Sequence, residues 1–243
     1  MILDIYKDSL EYSAKDWKTL VLLGVICLFS VLLLPAFLIT GYNYRVINTA
    51  VHGVINGRDP LPGFENLIDM FVDGVKIVII QIAYILVPII VFMIFAIIAS
   101  NLIGIASSAV MLIGCIITFV LTIAVCLMSQ MAMCHMAYND GAFSKAFAIS
   151  EIKEAIDEIG WFNCIATYIG LIIITLVISV VVTSIIYAIF TVFGLSGFAL
   201  GVDTSGVFIV GALINSLITL FIVGPYLSIF NARSIGLLYT MQI

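Results

Sequence analysis

IVIIQIAYILVPIIVFMIFAIIASNLIGIASSAVMLIGCIITFVLTIAVCLMSQMAM, residues 77–133, contains no Asp, Glu, Lys or Arg. A helix needs about 20 apolar residues to cross the hydrocarbon of a bilayer. This stretch therefore reads as two passes, 77–100 and 103–133, joined by an uncharged turn. Inside lipid every backbone N–H and C=O must be paired within the protein, so the passes are helices; the short alternating strands of a barrel are absent. The second pass is longer than a crossing needs, which predicts tilt or continuation past the interface. Outward from this pair lie three further apolar runs, at 20–40, 162–193 and 207–226.

Composition agrees. The chain of 243 residues is 64% hydrophobic and 9% charged, with a mean hydropathy of +1.31. A soluble domain carries roughly a quarter charged residues. The reading is an all-α, polytopic integral membrane protein of one domain, with the lipid bilayer as its first partner. A net charge of -5 and the lack of basic clusters exclude nucleic acid and anionic lipid surfaces as partners. The sixteen residues before the first apolar run carry acids as well as lysines and lack a signal peptide's pattern, so the N-terminus is expected to be retained. The five cysteines lie in or beside apolar runs without a CxxC, and read as small packing residues. No metal site and no cofactor is expected.

Charge sets orientation. Segments 44–76, 135–160 and the tail after Tyr226 carry six of the nine Lys/Arg. Lys/Arg excess marks the cytoplasmic side, so these segments are expected in the cytoplasm and the neutral turns outside, in the plasma membrane. Five simple spans would put Lys7, Lys15 and Lys18 on the wrong side. The alternative folds residues 24–56 as a short hairpin turning near Pro35, giving six passes and all nine cations on one side. Both readings stay open.

Three amphipathic stretches, 2–17, 64–76 and 143–160, each lead into a span and are expected to lie in the interface. The first sets Leu3, Tyr6, Leu10 and Trp17 on one side. The second sets Phe64, Leu67, Ile68, Phe71, Val72 and Val75 against Glu65, Asp69 and Asp73. The third sets Ile149, Ile152, Ile156 and Ile159 against Glu151, Glu154, Asp157 and Glu158. The arrangement suggests three units of interfacial helix plus helical pair, the first pair truncated.

Between the first two spans, Asn56-Gly57-Arg58-Asp59-Pro60-Leu61-Pro62-Gly63 is turn chemistry. Before it, Arg45, Asn48, His52 and Asn56 recur at helical spacing and form one polar face. With His135 and Arg233 they make a candidate polar cluster, since ionisable groups near membrane depth are functional by default. The span middles hold no Asp, Glu or Lys; Gln81, Asn163 and Asn215 are the larger polar groups there. No catalytic or nucleotide motif occurs.

Gly41-Tyr42-x-x-Arg45, Gly57, Leu61-Pro62-x-Phe64 and Phe71-x-Asp73-Gly74-x-Lys76 resemble a membrane family of archaea and some bacteria, domain of unknown function 4013. Tyr12-x-x-x-Asp16-Trp17 and Gly236-Leu237-Leu238-Tyr239 resemble its ends. Ser13 stands where that family usually has Pro. The resemblance implies a polytopic membrane protein without a known activity. The function expected is non-enzymatic: organisation or assembly of membrane components, with a membrane-protein partner or a second copy of the chain. The alternative is a transporter or channel for a small or lipidic solute.

Overall fold

The computed structural model describes residues 1–29, 34–199 and 204–242, and these are helical with short connections. In chain order the helices are α1 (Ile2–Ser13), α2 (Trp17–Leu28), α3 (Leu34–Val51), α4 (Leu67–Ser100), α5 (Ile105–Tyr138), α6 (Ile149–Ile159), α7 (Trp161–Ala199), α8 (Ser205–Ile218) and α9 (Gly224–Tyr239). A 3-10 turn, Phe143–Phe147, precedes α6. A π-helical turn, Thr219–Val223, joins α8 and α9 into one rod. Pro225 has no N–H to offer the preceding turn, and Gly224 instead bonds five residues back, to the Thr219 carbonyl.

Among the described residues four helices are long and apolar enough to cross a membrane: α4, α5, α7 and the α8–α9 rod. Their most apolar windows have mean hydropathy of 2.4 to 3.0, and only 11% to 17% of each window is buried. Side chains that apolar and that bare need lipid as solvent. The chain is a polytopic helical membrane protein.

Two long hairpins carry the spans. In α4–α5, Gly114 makes room for the Phe95 ring, and Ser107 Oγ donates to the Ala99 carbonyl at 2.8 Å. In α7–α8, Gly194 sits under Phe208 and Gly211 under Phe190. The hairpins scarcely touch each other; their main contact is a few residues of α5 and α7. They are joined through α3 and α9, which cross where Gly236 meets Ile47 and Ala50.

The expected span at 20–40 is not one helix. α2 ends at Leu28 and α3 begins at Leu34; residues 30–33, in the middle of that run, lie outside the described residues. Pro35, near which the alternative hairpin turns, is the second described residue of α3. Asp16 caps α2, accepting from Lys18 N at 3.0 Å and Thr19 Oγ1 at 2.8 Å. From there α2 reaches Gly24, seated on the π turn, where a Cβ would stand 2.5 Å from Phe221 Cα. α3 returns: Phe37 faces Gly74, Gly41 faces Met70, and Ala50 faces Gly236. With 12 residues α2 is about 18 Å long, too short to cross. α2 and α3 thus run in opposite directions, the turn expected between them lying outside the described residues, and the Lys/Arg gather at one end of the bundle, here the charged end. Cysteines placed at exposed Glu11 and Ala142 should therefore react with an impermeant maleimide from the same side of sealed vesicles. Reaction from opposite sides would contradict this topology.

The amphipathic stretches hold in part. α6 buries Ile152, Ile156 and Ile159 as expected, though Ile149 is exposed. The stretch 64–76 is no separate interfacial helix: α4 starts at Leu67 and runs unbroken to Ser100. Its inner face is Met70, Gly74 and Ile77, while Leu67, Ile68 and Val72 point outward. The close seat at Gly74 selects that face over the greasier one. α1 likewise buries Tyr6, Asp8, Ser9, Tyr12 and Ser13 and turns Leu3 out; Trp17, expected on the same side, is exposed at the start of α2. The reason is a buried arginine, described next.

Candidate functional site

The polar residues singled out in the sequence do not form one cluster. They fall into separate groups at the charged end, and three of these groups are structural.

Arg233, on α9, is fully buried. Its Nε donates to Asp8 Oδ1 at 3.1 Å and its Nη2 to Asp59 Oδ2 at 2.9 Å. The guanidinium lies over the Tyr12 ring, 4.5 Å from its centroid. Asp8 is itself 5% exposed and also accepts from the Asn56 backbone N–H. Tyr12 Oη donates to the Pro60 carbonyl at 2.9 Å, and burial pushes its phenol up to about 12. This cation thus fastens α1 and the 52–66 loop to α9. A buried arginine needs such partners, because desolvating an unpaired charge costs several kcal/mol. It explains why α1 turns a polar face inward.

Arg45 clamps the loop itself. Nη1 donates to the carbonyls of Gly63 (3.0 Å) and Glu65 (2.6 Å), and Nη2 to that of Asn66 (3.0 Å). These carbonyls lead into α4, with Asn66 in the left-handed region at φ 52°. Phe64 stacks on Tyr42 with centroids 4.9 Å apart, and Phe71 meets Phe37 edge-on at 5.4 Å. Asn56 does not share the expected helix face: α3 ends at Val51, and Asn56 lies in the loop at φ 61°. Asn48 and His52 are exposed. His52 Nδ1 donates to the Asn48 carbonyl at 2.9 Å. They line an open polar cleft with Tyr44, Asp73, Lys76 and Asp140, in which Lys76 and Asp73 pair at 3.2 Å.

His135 stands apart, on α5. With Nε2–H donating to Glu151 Oε2 at 3.0 Å, its Nδ1 accepts from the Tyr239 hydroxyl at 2.5 Å. Lys145 Nζ also donates to Glu151, at 2.7 and 3.0 Å. The Lys145 ammonium first, and His135 second, hold the Glu151 carboxyl below its usual range. A lowered carboxyl pKa contributes stability that is present above the ordinary value and lost as pH falls through the lowered one. In a Trp17→Phe background, Trp161 fluorescence should therefore report loosening of α6 in acid, and Glu151→Gln should flatten that step. An identical acid titration with and without Glu151 would contradict the assignment.

The site with room for a ligand is elsewhere. Between the hairpins, over α3 and α9, lies a cavity of about 580 Å³. Its polar side chains include Asn43 from α3, Gln81 from α4, Ser129 and Gln130 from α5, Tyr168 from α7 and Asn231 from α9, beside Thr40, Tyr44, Tyr84, Cys126 and Ser228. Isoleucines, Val125, Met133 and Ala232 supply the apolar wall, and no charged residue lines it. Asn43 Oδ1 is shielded from solvent without a hydrogen-bond partner. Among the described residues none hydrogen-bonds the side chains of Gln81 or Gln130. Asn231 is partly engaged, donating to the Leu227 carbonyl at 2.8 Å. A polar atom shielded from water without a partner is costly, and that describes Asn43 Oδ1, whereas Gln81 is exposed and Gln130 half-buried. The volume falls in the range of small-molecule sites. Chemically, the arrangement can donate and accept hydrogen bonds at one end of a ligand and cover an apolar body at the other. Of these residues Gln81 stood out in the sequence as an amide inside an apolar run. Gln130 carried the same signal near the end of its run.

The fold and cavity define a polytopic helical membrane protein with an uncharged, amide-lined recess where its two hairpins meet. The chain belongs to the family described as Protein of unknown function (DUF4013), whose model matches residues 27–191. That segment contains the Gly41-to-Lys76 motif block; the Tyr12 and Gly236 ends lie outside it. No curated protein and no solved structure matches the chain.

Proposed function

We propose that this protein binds and moves an uncharged amphipathic molecule within the plasma membrane. The observation that carries the reading is the recess itself: amides from four helices line one space, with Asn43 Oδ1 shielded from solvent without a partner among the described residues. It favours the transporter alternative over an assembly role, because an assembly protein has no need of an interior amide cluster. The reading is non-catalytic: the lining offers hydrogen bonds and apolar contact, which serve recognition. The charged end faces the cytoplasm in this reading, following the Lys/Arg bias.

Gln130→Leu should weaken binding of a short-chain monoacylglycerol analogue about tenfold, the worth of one lost hydrogen bond to a desolvated ligand group. Arg45→Ala, which alters only the loop clamp, should leave that affinity unchanged. Equal affinities for wild type and Gln130→Leu would overturn the proposal.

A second reading, assembly with a membrane-protein partner or a second copy, is favoured by the neutral end. There Ile103 and Ile105 are 94% and 90% exposed, and the two hairpins leave their facing sides largely unpacked.

A further inference from the structure

Beside the recess runs a groove of about 440 Å³ along α7, walled by Leu171, Ile172, Thr175 and Leu176. The recess and the groove share Gln130, Tyr168, Asn231 and Ile235 as common walls. One surface therefore passes from the amides out to the lipid-facing side of α7, where Ile172 and Leu176 are 51% and 59% exposed. It passes between α5 and α7, two span helices that pack little against each other. Neither the recess nor the groove is lined by Lys, Arg, His, Asp or Glu.

From this continuity we infer that the ligand is a membrane lipid with an uncharged, hydroxyl-bearing head, admitted sideways from the bilayer between α5 and α7. This rests on the amphiphile reading above and specifies its substrate class and route. An acyl chain lies along Leu171, Ile172, Thr175 and Leu176, in contact with bilayer lipid, so it need not leave an apolar medium. The head turns inward past Tyr168 to the amides, which supply both donors and acceptors and so match hydroxyls. A phosphate head would bring a charge with no cation to meet it, and burying an unpaired charge is prohibitive. The same neutrality that excludes ion coupling thus becomes a filter on lipid class.

The test uses the full chain in phosphatidylcholine vesicles doped with one of two lipids: a diacylglycerol carrying a mid-chain diazirine, or a phosphatidylglycerol with the same chain. Cross-links from the diacylglycerol should concentrate on residues 171–176. Thr175→Trp, which fills the groove, should cut them about tenfold, overpacking of this kind costing a kcal/mol or more. Leu176→Trp is already outward-facing, folds regardless, and should give the same loss. The phosphatidylglycerol should label the outward faces of all spans alike. Equal enrichment of both lipids on 171–176, or even labelling by both, would overturn the inference. A photoreactive monoacylglycerol of short chain, added from water, separates the two claims. If it labels residues 40–44 and 81–85 while the diacylglycerol never enriches on α7, the recess binds amphiphiles but the sideways route is wrong. If neither probe enriches, both the route and the amphiphile reading fail.

Discussion

Gly41→Ala yields a chain that does not reach the native fold. A Cβ at Gly41 would run into the Met70 carbonyl on α4, and one at Gly74 into the Phe37 carbonyl on α3. These are backbone atoms, so no side chain can swing aside; the helices themselves must part. The two glycines face each other across a single crossing, which lets α3 and α4 approach backbone to backbone as small-residue contacts do in membranes. Parting them also pulls Phe64 off Tyr42 and the carbonyls of 63–66 away from Arg45, because all of these sit at the same corner. We expect a loss of more than about 4 kcal/mol, the size reserved for a failed core contact. Thermal unfolding in mild detergent, followed by size-exclusion chromatography, measures it. Gly74→Ala should do the same, and the double variant little worse than either alone, since one crossing can be broken only once. A melting temperature like that of the wild type for Gly41→Ala would show that the close approach is not required.

Arg233→Leu is the second severe change. It strands Asp8, which is 5% exposed and would keep only the Asn56 backbone as donor. Removing one partner of a buried pair costs about 3–5 kcal/mol. Asp59, at 29% side-chain exposure, can turn to water and adds less. The expected signature is local as well as global: α1 and the 52–66 loop lose their common anchor, so the N-terminus becomes open to protease before the spans unfold. Pairing Arg233→Leu with Asp8→Leu should restore much of the stability, because a well-packed apolar replacement avoids the desolvation that the ion pair must offset. Arg233→Lys should not substitute, since one ammonium cannot serve Asp8 and Asp59 in the guanidinium's fork and also stack on Tyr12. Resistance to protease unchanged in Arg233→Leu would contradict this role.

These two sites show what could be read from the chain and what could not. Hydropathy located the four crossing helices, because a run such as 77–133 has no other stable solution than helices in lipid. It misjudged 20–40, where average apolarity hid the end of α2 at Leu28. The Gly41-to-Lys76 block was visible as a motif, but its meaning was not. That Gly41 meets Gly74 depends on α3 and α4 being antiparallel and in one register, which spacing alone does not fix. Asp8 and Arg233 are 225 residues apart. Nothing local marks Asp8 as buried, and reading α1 by its apolar residues pointed Leu3 inward when the arginine had already claimed the opposite face. The recess was least legible. Asn43, Gln81, Gln130 and Asn231 come from four helices, and only their convergence gives them meaning. Arg45 and His52 drew attention because charge is conspicuous in such a sequence, yet one holds a loop and the other is exposed.

Native mass spectrometry of the protein, released gently from its own membranes, reads out the bound lipid itself. One uncharged lipid species should be retained in stoichiometric amount by the wild type and lost from Gln130→Leu. Protein with no retained lipid, or with charged phospholipids bound equally by wild type and Gln130→Leu, would contradict it.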